Sequence, residues 1–118
     1  MIGVDLIEVE RIKQASRRWK ERFLGRIYTR RELALYGRSY PSLAARFAVK
    51  EAVTKALGTG IGQVAWREIE TLEDETGRPL VQLSGKARER AEELGVRKWS
   101  VSLSHTRNMA IAVVIGWR

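Results

Sequence analysis

Ile2, Val4 and Leu6 alternate with Gly3, Asp5 and Ile7, a period of two that predicts a first strand with apolar side chains on both faces. The period lengthens at Glu8, and a helix is expected from there to about Lys20. A second helix follows from about Thr29, placed as an N-cap, through Tyr36. Gly37-Arg-Ser-Tyr-Pro41 reads as a loop, and Pro41 with Ser42 opens a long helix that runs to Leu57. On a wheel of ~100° per residue, Ala45, Ala48, Val49, Ala52, Val53 and Ala56 form one apolar sector on that helix, the face expected to meet a core. Beyond it, Glu68-Ile-Glu-Thr-Leu and Leu80-Val-Gln-Leu flank Glu75-Thr-Gly-Arg-Pro79, the pattern of a hairpin. Ser84 to Leu94 reads as a charged helix capped by Ser84 and stopped by Gly95. Trp99, Val101, Leu103 and His105 then share one strand face, opposite Ser100, Ser102 and Ser104. A turn at Thr106-Arg-Asn108 leads into Met109 through Ile115, a near-continuous apolar run suited to a central strand. Helices segregated from hairpins give an α+β class, with helices packed on a small, mostly antiparallel sheet.

Length permits one domain, residues 1–118, with a modest core. No stretch approaches the ~20 apolar residues that cross a bilayer. Met-Ile-Gly-Val-Asp at the start does not have the form of a secretory signal. The chain has no cysteine, which removes disulfides and thiolate metal sites and points to the cytoplasm as its location. A metal would have to be held by oxygen or by the single His105.

Charge changes the picture in one place. Residues 11–31 hold nine basic side chains (Arg11, Lys13, Arg17, Arg18, Lys20, Arg22, Arg26, Arg30, Arg31) and one acid, Glu21, for a local net charge of +8. The rest of the chain has thirteen of each sign, so the field is focused. Nucleic acid, a membrane surface or an acidic protein each fit it, as does a solvated helix face. Trp19, Phe23, Leu24 and Ile27 lie among the arginines at spacings of three and four, which makes the segment amphipathic and able to dock as well as attract.

The candidate chemistry sits on the long helix and the loop that follows it. Glu51 and Lys55 fall beside its apolar sector, between Phe47 and Ala48. A surface ion pair would explain their spacing and is worth roughly 0.2–0.5 kcal/mol. Their apolar surroundings favour a second reading, in which both groups recover lost hydration from a ligand. Gly58, Gly60 and Gly62 alternate with Thr59 and Ile61, so the loop can bring bare backbone N–H groups to an anion. Gly58 alone is also explained as the residue that ends the helix. The pattern matches neither a P-loop nor a dinucleotide fingerprint, because the glycines follow the helix. Asp5, inside an apolar strand, needs a cation or a turn to satisfy it. His105, at a strand end beside Ser104, Thr106, Arg107 and Asn108, is either a core histidine or part of a phosphate site.

These pieces together resemble the holo-acyl-carrier-protein synthase family of 4′-phosphopantetheinyl transferases. The likeness runs through Ile2-Gly-Val-Asp-Leu6, Glu10-Arg-Ile12, Phe23, Arg26, Tyr28-Thr29 and Glu32. It is most specific at Lys50-Glu-Ala52, Lys55-Ala56 and Gly58-Thr-Gly-Ile-Gly62, and resumes at Ile69-Glu70, Gly77-Arg-Pro79 and Ser102-Leu-Ser-His105. The resemblance implies transfer of phosphopantetheine from coenzyme A to a serine of apo acyl carrier protein, as a step of fatty acid biosynthesis. It also implies Mg²⁺ held by Asp5 and Glu51, and Lys55 on the phosphates. Arg46, Gly58, Thr59, Gly60, Gly62, Ser104 and His105 would hold coenzyme A. Arg11, Arg18, Arg22, Phe23 and Arg26 would grip an acidic carrier protein. A metal-bound water, Glu51 or His105 would take the serine proton. A homotrimer with sites between subunits is part of the same expectation, with neither nucleic acid nor membrane as a partner. Ala45, Glu68 and Leu103 depart mildly from the family pattern. The rival readings are a basic nucleic-acid-binding module and a noncatalytic scaffold for acidic proteins; neither explains Asp5, Glu51 and Lys55 in apolar surroundings.

Overall fold

A computed structural model describes residues 1–118. Strand β1 (Ile2–Glu8) leads into helix α1 (Val9–Ile27), α2 (Arg30–Tyr36) and the long α3 (Tyr40–Leu57). A single 3₁₀ turn, Trp66–Glu68, precedes β2 (Ile69–Glu73) and β3 (Pro79–Leu83). Helix α4 (Gly85–Glu93), β4 (Lys98–His105) and β5 (Met109–Trp117) complete the chain. The α+β expectation holds. The strands form an antiparallel sheet in the order β1-β5-β4, with the apolar β5 in the centre as its sequence predicts, and a separate β2-β3 hairpin.

Helix α3 lies against β1 and β5, and its predicted sector is the core. Ala45, Ala48, Val49, Ala52 and Val53 are fully buried, facing Ala110, Ala112 and Val114 of the sheet. Gly3 permits this packing. A Cβ there would sit 1.9 Å from the Ala52 carbonyl oxygen, so only glycine lets β1 approach the helix backbone.

Three details depart from the sequence pattern. Helix α1 does not stop near Lys20 but continues to Ile27, across a break where Lys20 takes φ 46° and ψ −130°. Trp19, counted with the apolar stripe, is 52% exposed, whereas Ile27 is buried. Ser84 holds the N-cap position of α4 without a side-chain bond. The Glu68 carboxylate takes its place, accepting the N–H groups of Lys86 and Ala65. Thr29 caps α2 as expected, in a reciprocal box with Glu32.

Glu32 also belongs to a buried ion pair. Its Oε1 lies 2.8 Å from Lys50 Nζ, and both side chains are fully buried. Lys50 donates to the carbonyls of Trp66 and Ile69 as well, and Glu32 Oε2 accepts from Thr71 N–H. One ammonium thus ties α2, α3 and the start of β2 together. Burial pulls Lys50 below the usual lysine range, opposed by the Glu32 charge.

The outer face of the sheet is apolar and uncovered. Ile2, Val4, Leu6, Ile111 and Ile115 are between 39% and 68% exposed. No helix of the structure is long and apolar enough to cross a membrane.

Candidate active site

Strand β1 and helix α3 bring Asp5, Glu51 and Lys55 together. Lys55 Nζ donates to Asp5 Oδ1 and to the Val4 carbonyl, both at 3.1 Å, so the ammonium spans the two elements. It does not pair with Glu51, which sets aside the simple i,i+4 surface bridge. Burial raises Glu51 above the ordinary carboxylate range, and the neighbouring Asp5 charge raises it further, with Lys55 opposing. A half-buried carboxylate with a second acid beside it makes a site that a cation would satisfy. No third His, Asp or Glu joins them. A pair of oxygen donors suits Mg²⁺, which takes one or two carboxylates and fills its shell with water and phosphate oxygens.

The carboxylates line a cavity of about 370 Å³ with Arg11, Ile12, Phe23 and Phe47. Phe47 stacks on Trp66, ring centroids 4.8 Å apart at 28°. Phe23 and Trp66 also line a second groove, about 610 Å³, with Trp19, Arg22, Arg26 and Ile27. Arg26 and Trp66 continue into a third, beside Ile61, Gly62, Gln63 and Lys86. The basic segment and the glycine loop therefore border neighbouring recesses. Arg18 turns aside and lies over the Trp19 ring, 5.0 Å from its centroid.

The glycine loop is only partly open to an anion. Gly58 takes φ 70° and closes α3, its N–H donating to the Lys55 and Thr54 carbonyls; Thr59 N–H reaches the Thr54 carbonyl at 3.0 Å. Gly62 N–H is bonded to the Val64 carbonyl. These donors are consumed because a helix must satisfy its last carbonyls. The N–H groups of Gly60 and Ile61 make no such backbone bond, and the Thr59 hydroxyl is buried without a partner.

Arg46 lies elsewhere. It is buried, 3.1 Å from Glu73 and 3.5 Å from the Tyr36 ring centroid, and its Nε has no partner. Ser104 and His105 are exposed at the end of β4. The register Ile7↔Ala110↔His105 puts the histidine two strands from β1, about 10 Å across the sheet. One chain does not bring it to the carboxylate cavity. The turn beyond it is closed on itself, with Thr106 Oγ1 accepting the N–H groups of Asn108 and Met109.

Trp66 carried no weight in the sequence, because a lone tryptophan before a strand has no periodic signal. The Lys50–Glu32 pair left a fainter mark, an acid three residues after the cap at Thr29.

A family model described as the 4′-phosphopantetheinyl transferase superfamily matches residues 1–114. The chain is 54% identical to a holo-[acyl-carrier-protein] synthase of Herpetosiphon aurantiacus, over 97% of this chain and 95% of that one. It is 52% identical to one from Dehalococcoides mccartyi, over 96% and 94%. The crystal structure of the Helicobacter pylori holo-[acyl-carrier-protein] synthase in complex with coenzyme A superposes with a TM-score of 0.90 at 34% identity, covering 99% of this chain and all of that one.

Proposed function

Because the chain belongs to the 4′-phosphopantetheinyl transferase superfamily, we propose that it is a holo-acyl-carrier-protein synthase, moving phosphopantetheine from coenzyme A to a serine of apo acyl carrier protein. The observation that carries this reading is the meeting of Asp5 and Glu51 at one cavity, with the Lys55 ammonium bonded to Asp5 beside it. The serine oxygen forms a bond to the phosphorus bearing the pantetheine arm, the bond from that phosphorus to the bridging oxygen breaks, and adenosine 3′,5′-bisphosphate leaves.

Asp5 and Glu51 would hold Mg²⁺, which when bound supplies charge neutralisation and polarisation of the phosphorus. Lys55, already between helix and strand, places its ammonium against developing phosphate charge. Glu51, or a water held at the cavity, takes the serine proton. Coenzyme A lies along the loop of Gly58, Thr59, Gly60 and Gly62, with the N–H groups of Gly60 and Ile61 as anion donors. Ser104 and His105 reach such a site from an adjacent copy, in a homotrimer that covers the apolar sheet face of Ile2, Val4, Leu6, Ile111 and Ile115. The strongly basic groove of Arg22 and Arg26, with Arg11 and Phe23 bridging to the carboxylates, receives the acidic carrier.

Incubation with coenzyme A, Mg²⁺ and apo carrier, followed by mass spectrometry of the carrier, tests this. The expected result is a gain of one phosphopantetheine, with Glu51→Gln reducing the rate by roughly 10²- to 10³-fold and carrier binding retained. An unmodified carrier would overturn the activity, and full turnover by Glu51→Gln would overturn the metal assignment.

A further inference from the structure

Lys20 has the one positive φ of any residue other than glycine in the chain. Its angles, 46° and −130°, lie where a Cβ is crowded and glycine is the usual occupant. Strain of this kind persists only where surrounding structure imposes it, and it concentrates at working sites. Neither charge nor side-chain packing accounts for it, since Lys20 is exposed. The strain follows from what the break does to the chain.

Before Lys20, α1 presents Val9, Ile12 and Ser16 to the core and Arg11, Ile12 and Ala15 to the carboxylate cavity. After it, the helix resumes on a new course, anchored by buried Ile27 and Tyr28, whose hydroxyl donates to the Leu43 carbonyl at 2.7 Å. The short second segment supplies Arg22, Phe23 and Arg26 to the groove against Trp66. Phe23 belongs to both recesses, so the bend fixes where the basic groove meets the Asp5–Glu51 cavity. A straight α1 would carry Arg22 and Arg26 along the old axis.

We propose that Lys20 is a positioning residue, whose left-handed backbone bends α1 so that its second half can seat an acidic carrier protein over the carboxylate cavity. The role belongs to the backbone, and the ammonium is dispensable. It rests on the carrier-modifying activity proposed above.

Three variants test it with the full chain. Lys20→Gly removes the side chain and fits the observed φ; Lys20→Ala removes the side chain and keeps Cβ; Lys20→Val adds a β-branch that resists the conformation. Lys20→Gly should melt higher than Lys20→Ala, the reverse of the order at an ordinary helical position. In steady-state assays Lys20→Gly should keep the parent's KM for carrier within about twofold, while Lys20→Val raises it at least tenfold and leaves KM for coenzyme A unchanged. Should Lys20→Val fail to fold, the melting order of the Gly and Ala variants still decides whether the backbone is strained. Ala melting above Gly overturns the proposal, as does a carrier KM equal in the Gly and Val variants, or a Val variant that shifts both KM values together. A parent that modifies no carrier overturns both readings, whereas an active parent with indifferent variants overturns the role of Lys20 alone.

Discussion

Replacing Lys50 by methionine removes the cation from a pair in which both side chains are fully buried. The methionine fills similar volume, so the cost is electrostatic. The Glu32 carboxylate keeps the N–H groups of Thr29 and Thr71, but it loses the ammonium at 2.8 Å, the Ile69 carbonyl loses its donor, and the Trp66 carbonyl keeps only the Ile69 N–H. Breaking one side of a buried pair costs about 3–5 kcal/mol, a large share of the roughly 5–15 kcal/mol that holds an ordinary domain. At about 4 °C per kcal/mol for this size, the midpoint should fall by roughly 12–20 °C. Removing both partners, as Glu32→Leu with Lys50→Met, should not restore the parent. It leaves the Thr29 and Thr71 N–H groups and the Ile69 carbonyl unpaired, at about 1–3 kcal/mol for each buried group. Urea unfolding of parent, single and double variants, at one protein concentration because an oligomer's stability depends on it, measures the cycle. A Lys50→Met loss under 1 kcal/mol with unchanged m would refute the idea that this ammonium ties α2 and β2 to α3.

Gly3→Ala drives a methyl toward a backbone oxygen that cannot rotate away, so stability should drop by about 1–3 kcal/mol or more; a variant as stable as the parent would show that β1 can withdraw freely. Glu51 has a raised folded-state value, so its protonation adds stability that is present below the unfolded value and is lost as pH rises through the raised one. Mg²⁺ binding, which needs the carboxylate, should therefore begin to weaken above 4.5 as pH falls; calorimetric titration showing constant affinity down to 4.5 contradicts this. Charge reversal, Arg18→Glu with Arg22→Glu, should weaken carrier binding chiefly by slowing association, and the parent's affinity should fall steeply with salt; a salt-insensitive parent opposes steering by α1. Ile115→Asp puts a charge on the exposed sheet face and should yield monomers in analytical ultracentrifugation; an unchanged sedimentation profile would clear that face of any role in assembly.

The elements were legible in the sequence because their causes are local. A two-residue period made β1, an apolar run made the central β5, and Pro41 marked the opening of α3. The identity of the Lys50-Glu-Ala and glycine-loop segments was legible too, since residue type and spacing along one helix are written in order. Tertiary structure decided what order cannot specify. Lys55 pairs with Asp5, fifty residues away, and not with Glu51 one turn back, because Gly3 lets β1 come against the helix. Helix closure, not anion binding, takes the Gly58 and Thr59 N–H groups, and Glu68 replaces Ser84 as the cap of α4. The sequence placed a helix end near Lys20, where the break stands, but not its positive φ, which is imposed by anchors on either side of it and not by its own chemistry. Periodicity fixes which face of an element is apolar, whereas burial, desolvation and the choice of ion partner depend on distances that exist only once the faces have met.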